Sequence, residues 1–355
     1  MSNLTSIQQN LGELDALLLT DPITIRYAAD FYIEDGAAII ARDKAWLITD
    51  SRYVEAASAR VQGMEILSAS SGTPFKTLAG HIFTENHFAA VGAEEDRMSV
   101  REWARMEEDL GLTLQNAAHV IAELRPSKTE AELQSLIAAQ RIAEKALDDL
   151  LGIIRPGMSE QELAAELIYR LYKCGGEGLS FPPIVVTGAK TSMPHGEPGD
   201  NIIRSGDFIT MDFGTMYNGY CSDMTRTVAV GSVTDEMRNV YDTVLSAQLA
   251  GIAAARAGVC GCDIDGAARR VIADAGYGEY FGHGFGHSLG LDIHEAPSAN
   301  SRGTEPMPVN AVCSAEPGIY LPGRFGVRIE DVMILREDGC EVITKTPKQL
   351  LVLDA

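Results

Sequence analysis

Apolar residues in the first 125 positions cluster in short runs bounded by turns, at residues 16–19, 37–40 and 45–48. Runs of that length read as strands. Asp50-Ser51-Arg52-Tyr53 opens a helical stretch whose apolar positions are Val54, Ala57 and Val61, and Gly72-Thr73-Pro74 marks a turn. The mixture predicts an α/β domain over residues 1–125, closed by Arg125-Pro126-Ser127.

Beyond that boundary the period lengthens. Leu133, Leu136, Ile137, Ala143, Leu147, Leu150 and Leu151 share one helical face, and Thr129 with Glu132 forms a capping box at its start. Arg155-Pro156-Gly157 breaks this helix. Ser159 and Glu162 cap a second, which ends near Gly175-Gly176. The plan recurs downstream: a helix over residues 234–256, a stop at Gly258, and a shorter helix from Asp263 to about Ala275. Arg155-x-Gly157 and Arg256-x-Gly258 hold equivalent places, which predicts an internally duplicated helix–helix–strand unit in residues 126–355.

Strand-like sequence carries the candidate chemistry. Asn218-Gly219 sits between β-formers, a hairpin signal. A two-residue loop there pairs Tyr217 with Tyr220 and, counting outward, Gly214 with Asp223. Asp212 then shares a face with Asp223 as a diagonal neighbour, with backbones roughly 7–8 Å apart. Side chains from such positions can converge on a metal pair about 3.5–4 Å apart. Asp212 also lies in the apolar run 208–213, and a buried carboxylate needs a partner or a cation.

Three of the seven histidines, His283, His287 and His294, fall within Gly282-His283-Gly284-Phe285-Gly286-His287 and the residues just after it. His283 and His287 are four apart, yet two glycines intervene and no Glu follows the first His. The helical zinc-pair motif therefore does not match, nor does a dinucleotide-binding G-x-G-x-x-G before a helix; the segment reads as irregular. Glu316 in Ala315-Glu316-Pro317-Gly318 and Glu330 in Ile329-Glu330-Asp331 each adjoin strand-like residues. His195, in Met193-Pro194-His195-Gly196, follows the apolar strand 184–187.

Composition narrows the partners. A formal net charge of −21 opposes binding to phosphate backbones, so nucleic acid is not an expected partner. No apolar run approaches the roughly 20 residues that cross a bilayer. The first twenty residues have no Lys or Arg but do have Glu13 and Asp15, unlike a secretory signal. The expectation is a cytoplasmic protein. Its six cysteines, Cys174, Cys221, Cys260, Cys262, Cys313 and Cys340, then read as buried, reduced thiols.

Together these segments resemble the pita-bread-fold metallopeptidases, which include methionine aminopeptidase, aminopeptidase P and prolidase. The resemblance covers nearly the whole chain and rests on the ordered set Asp212, Asp223, His287, Glu316 and Glu330 within their local motifs. It implies an α+β fold: a C-terminal pita-bread (creatinase/aminopeptidase-like) domain over 126–355 and an N-terminal α/β creatinase-type domain over 1–125. It implies two divalent metal ions. Asp212 would bind one, Asp223 and Glu330 both, and His287 and Glu316 the second. Glu316 would also carry the proton of the attacking water. His195 and His294 would bind substrate and stabilise the tetrahedral intermediate, His283 would line the pocket beyond the scissile bond, and Arg328 and Tyr320 would support the site. Four carboxylates and one imidazole suit Mn²⁺, with Co²⁺, Fe²⁺ or Zn²⁺ as alternatives.

Ile25-Arg26-Tyr27, Thr49-Asp50-Ser51-Arg52-Tyr53 and the paired histidines of the glycine-rich segment resemble the aminopeptidase P and prolidase branch. That branch implies a peptide substrate with proline in second position, and commonly a homodimer. The leading expectation is an Xaa-Pro aminopeptidase, with an Xaa-Pro dipeptidase as the alternative. Ser314-Ala315 stands where relatives tend to carry Thr and a branched residue, and Ala29-Asp30 replaces a small pair often seen after Arg-Tyr. Three rivals differ in class. A metal-free creatinase-like hydrolase would survive chelation, a non-catalytic pita-bread binding module would lack peptidase activity, and another two-metal hydrolase such as a phosphatase would turn over phosphate esters.

Overall fold

In the computed structural model, residues 2–354 are described, and they form two compact units that divide between Arg125 and Pro126. The first unit is built on one sheet of six strands: β1 (Ala16–Leu19), β2 (Gly36–Ala41), β3 (Ala45–Thr49), β4 (Glu65–Ser68), β5 (Val91–Ala93) and β6 (Gln115–Asn116). Their order is β4-β3-β2-β1-β5-β6. β1, β2 and β3 pair antiparallel, whereas β4, β5 and β6 join in parallel. β1 and β3 are buried along their whole length, which is why they read as continuous apolar runs rather than alternating ones. Leu18, Ile39, Trp46, Ile82 and Phe83 form the core on one side. The stretch expected to turn helical after Tyr53 does so, over Val54–Arg60.

In the second unit, helices Glu130–Leu151 and Glu160–Lys173 both begin in capping boxes, with Thr129 and Ser159 accepting from the amides of Glu132 and Glu162. They share a core with β7 (Ile184–Thr187), β8 (Phe208–Phe213) and β11 (Met224–Val230). With β19 (Val352–Leu353) these strands form a sheet in the order β19-β11-β8-β7. Helices Asp235–Ala254 and Gly261–Asp274 share a second core, with β14 (Val312–Ala315) and β17 (Asp331–Arg336). The second sheet runs β13-β12-β14-β17-β18, with β12 at Gly286–Ser288, β13 at Glu295–Ala299 and β18 at Gly339–Val342. A hairpin of β15 (Gly318–Leu321) and β16 (Phe325–Arg328) precedes β17. Gly157 and Gly258, each between the helices of its pair, both hold positive φ (96° and 82°), a conformation that a β-carbon disfavours. The repeated Arg-x-Gly therefore marks the same backbone event twice.

The hairpin expected at Asn218-Gly219 is present. β9 (Met216–Tyr217) and β10 (Tyr220–Cys221) pair Tyr217 with Tyr220 across the turn. The register continues below it, Phe213 facing Met224 and Asp212 facing Thr225. Asp223, two residues before Thr225, is thus diagonal to Asp212. The glycine-rich segment is less irregular than its composition implies, since Gly286–Ser288 forms β12, with a register shift between His287 and Ser288. A β-carbon on Gly286 would lie 2.0 Å from the Ser314 carbonyl oxygen, so only glycine lets this strand approach β14.

All six cysteines are free thiols. Cys221 and Cys313 are buried as expected, but the other four are only half-buried. No helix among the described residues is long and apolar enough to cross a membrane.

Candidate metal centre

The two sheets of the second unit deliver their acidic residues to one cavity of about 910 Å³. Its lining includes Asp212, Asp223, Glu316, Glu330, His195, His283, His287, His294 and Arg328. Asp212 comes from β8 and Asp223 from the residue before β11. Glu316 follows β14 and Glu330 precedes β17. Tyr320, on β15, joins the site through its hydroxyl, which hydrogen-bonds the lining residues Arg328 and His283. All ten residues singled out from the sequence are therefore brought into one neighbourhood.

Carboxylate and imidazole atoms of Asp223, His287 and Glu330 lie within 4.8 Å of one another. His287 Nε2 is 3.5 Å from Asp223 Oδ2 and 3.3 Å from Glu316 Oε1. Three carboxylate oxygens here are buried with no hydrogen-bond partner: Asp212 Oδ1, Asp223 Oδ1 and Glu330 Oε1. Burial without a partner is costly for a carboxylate. Burial, followed by repulsion from Glu330, Asp212 and Glu316, pushes the Asp223 carboxyl well above its usual range. Burial and the neighbouring carboxylates do the same to Glu330, and burial leads the upward shift at Glu316. Burial also lowers the His287 imidazole, keeping it neutral and able to donate a lone pair. Among the described residues, the guanidinium that hydrogen-bonds one of these four converging carboxylates is that of Arg328, on Asp212. The donor set therefore suits divalent cations, which would occupy the orphaned oxygens and relieve the repulsion.

The other oxygens are held in place. Arg328 Nη2 donates to Asp212 Oδ2 at 2.5 Å, Nε to Thr225 Oγ1 at 3.1 Å, and Nη1 to Tyr320 Oη at 2.9 Å and Pro194 O at 3.2 Å. Thr225 Oγ1 in turn donates a hydrogen bond to Glu330 Oε2 at 2.7 Å. Ser314 Oγ donates to Glu316 Oε1 at 3.1 Å and accepts from the His287 amide at 3.0 Å. The serine that departs from the family pattern thus keeps a hydroxyl between two candidate ligands. His287 Nδ1 faces the Ser288 carbonyl at 3.2 Å, which leaves Nε2 toward the carboxylates.

The histidines divide by setting. His283 Nε2 is 2.8 Å from Tyr320 Oη, and burial lowers its basicity. Burial also pushes the Tyr320 phenol up to about 12, so it stays protonated. His294 stacks edge-on against His287 with ring centroids 4.5 Å apart. Burial and the neighbouring His287 and His195 lower its basicity too. His195 is exposed on the cavity wall.

Several supporting residues carry no local sequence signal. Asp265 and Arg269 pair at 2.9 Å along one helix. Arg269 donates to the carbonyls of Phe281 and His283, and Asp265 Oδ1 accepts the Phe285 amide. The pair thereby clamps the glycine-rich segment. Gln140, fully buried, accepts from the Asp223 amide at 3.4 Å. Thr225 could have been found by alternation, since it lies two residues beyond Asp223. Phe181, Pro182, Ile184 and Ile293 give the cavity its apolar wall.

Residues 134–337 match the family described as metallopeptidase family M24, and residues 3–127 match the creatinase/prolidase N-terminal domain. The chain is 34% identical to an Xaa-Pro dipeptidase of Lactobacillus delbrueckii subsp. lactis, covering 99% of each. Among solved structures it resembles an Xaa-Pro dipeptidase from Bacillus anthracis, with a TM-score of 0.94 and 38% identity over 99% of each chain. It also resembles an X-Pro aminopeptidase from Thermotoga maritima, with a TM-score of 0.94 and 35% identity over 98% of this chain and 99% of the other.

Proposed function

The chain belongs to metallopeptidase family M24, and from that premise we propose that it hydrolyses Xaa-Pro dipeptides, holding two divalent cations at Asp212, Asp223, His287, Glu316 and Glu330. The observation that carries the reading is the trio of buried, unpartnered carboxylate oxygens facing one cavity. Asp212 would hold one cation, Asp223 and Glu330 both, and His287 and Glu316 the second, with Mn²⁺ matched to this oxygen-rich set. Divalent cations supply Lewis acidity, polarising the scissile carbonyl and making a bound water acidic.

The chain's own residues do the rest. Glu316, whose carboxyl burial makes more basic, takes the proton of the attacking water and returns it to the departing proline nitrogen. Any amide nitrogen must gain a proton to leave as an amine, and the tertiary nitrogen of an X-Pro bond does so here with the proton that Glu316 took from water. His195 and His294 contact the substrate carbonyl as charge develops on its oxygen. His283 and Tyr320, joined at 2.8 Å, bound the proline side of the bond. The apolar wall of Phe181, Pro182, Ile184 and Ile293 excludes water around the ring.

Two considerations favour the dipeptidase over the aminopeptidase expected first from the sequence. The relatives named for dipeptides include the Lactobacillus and Bacillus proteins. The cavity also holds a cation for a free carboxylate. Arg328 and Arg269 are committed to Asp212 and Asp265, whereas the exposed Arg302 on the lining forms no ion pair among the described residues. The Thermotoga structure keeps the aminopeptidase as the second reading. As in the branch it resembles, the protein is a cytoplasmic homodimer on this reading, which sedimentation velocity checks. Chelation followed by Mn²⁺ addition tests the core of the proposal. Hydrolysis of Ala-Pro should vanish and return, while hydrolysis that survives chelation would refute it.

A further inference from the structure

His195 has no anchor of its own. Its side chain is exposed on the cavity wall, and among the described residues none hydrogen-bonds its imidazole. Its position is inherited from the backbone of residues 188–201, which leave β7, carry His195 near their midpoint and return beside residues 157–161. Between its ends the segment touches β16 twice, Thr191 Oγ1 accepting the Gly326 amide at 2.8 Å and the Pro194 carbonyl accepting from Arg328 Nη1 at 3.2 Å, so the placement of His195 depends on how the ends are closed.

Both ends of this loop meet at one buried carboxylate. Glu160, the first residue of the helix Glu160–Lys173, is 1% exposed. Its Oε1 accepts the Thr187 amide at 2.8 Å and the Asn201 side-chain amide at 3.3 Å. Its Oε2 accepts the Gly199 amide at 2.9 Å and the Lys190 ammonium at 2.8 Å. Two donors lie before His195 and two after it. The main chain of Glu160 adds a fifth tie, its amide donating to the Asn201 carbonyl at 3.0 Å. The helix N-terminus favours the negative charge at this position. A carboxylate with four donors is acceptor-only and fully used, so no neutral residue reproduces the arrangement.

We propose that Glu160 is a positioning residue for His195: by closing the loop 188–201 it sets where the imidazole stands over the cavity. The proposal rests on the reading that His195 acts on the substrate. Glutamine at position 160 keeps the length of the side chain but turns an NH₂ toward two donors, the Gly199 amide or the Lys190 ammonium. The loop ends then separate, and a displacement on the order of 1 Å costs about 10²-fold in rate.

The test is a double-mutant cycle on the full-length, Mn²⁺-loaded protein, with whichever Xaa-Pro peptide the wild type turns over fastest. Glu160→Gln should lower kcat about 10²-fold, with metal content unchanged. In a His195→Ala background the same substitution should lower kcat by no more than about threefold further. Losses that multiply would overturn the proposal and leave the role of His195 intact. A His195→Ala variant as active as wild type would overturn the role of His195 and the proposal with it. A second readout needs neither metal nor substrate. The His195 ring resonance of the metal-free protein, assigned by its absence in His195→Ala, should shift or split in Glu160→Gln, and an unchanged resonance would contradict the proposal. If Glu160→Gln does not fold, the pair Lys190→Met and Asn201→Ala, which removes one donor from each loop end, is read through the same cycle and the same resonance.

Discussion

Arg328 Nη2 donates to Asp212 Oδ2 at 2.5 Å, while Oδ1 of the same carboxylate is buried and unpartnered. One oxygen is thus held by a fixed cation and the other is left for a second positive charge. Arg328 also ties the aspartate to Thr225 and Tyr320, so its loss would leave several buried groups unpaired at once. Arg328→Met should destabilise the protein by about 3–5 kcal/mol, as breaking a buried ion pair does. Urea unfolding in the presence of chelator measures this. A loss below about 1 kcal/mol would be that of an exposed pair.

Asp223 should behave in the opposite sense. Its carboxyl is desolvated and crowded by Glu330 and Asp212, so its charge opposes folding until a cation arrives. Asp223→Asn should leave the metal-free protein at least as stable as wild type, abolish the rise in Tm expected of the wild type on adding Mn²⁺, and lower turnover by about 10³-fold or more. Thermal melts with and without Mn²⁺, paired with rates, check all three. A variant keeping most of its turnover at saturating metal would remove Asp223 from the ligand set.

Much of this arrangement is legible in the linear chain, because it is local. Asn218-Gly219 sets a register that carries Asp212 and Asp223 to one face, and period-2 alternation adds Thr225. The capping boxes at Thr129 and Ser159 mark two helix starts. The contacts that hold the histidines are not legible in this way. Glu160 reaches Gly199 across 39 positions, and Asp265 reaches the Phe285 amide across 20. Both are side chains accepting from irregular backbone, which leaves no periodic trace. Gln140, which faces the Asp223 amide, reads as one more position on a helix. The strand at Gly286–Ser288 was masked by its glycines, which serve close approach to β14 rather than a turn.

In the first unit, Glu94 is 3% exposed, and burial raises its carboxyl to about 7 although Thr24 Oγ1 donates to it at 2.7 Å. An acid with a raised folded pKa binds more protons folded than unfolded. Stability therefore falls as pH rises from the ordinary value of 4.5 toward about 7, and levels off above it. The loss from this group approaches about 3 kcal/mol. Glu94→Gln should flatten that dependence and raise the Tm at pH 8 relative to wild type. Melts at pH 5 and pH 8 decide it, and an unchanged pH dependence in the variant would show that Glu94 is not the group responsible.

Arg302 bears on substrate length. If its guanidinium meets the carboxylate of a dipeptide, Arg302→Ala should cut kcat/KM for Ala-Pro by about 10- to 100-fold, the worth of a charge-assisted hydrogen bond. Any activity on Ala-Pro-amide should change little, since that substrate has no carboxylate. Equal losses on both would assign Arg302 a structural role.

Dipeptidase and aminopeptidase part on the ratio of kcat/KM for Ala-Pro to that for Ala-Pro-Ala, measured on the Mn²⁺-loaded protein with Ala-Ala as the proline-free control. A dipeptidase predicts rapid release of proline from Ala-Pro, little cleavage of Ala-Pro-Ala and none of Ala-Ala. Preferential cleavage of Ala-Pro-Ala at the bond before proline would contradict it in favour of the aminopeptidase, and equal cleavage of Ala-Ala would remove proline from the account.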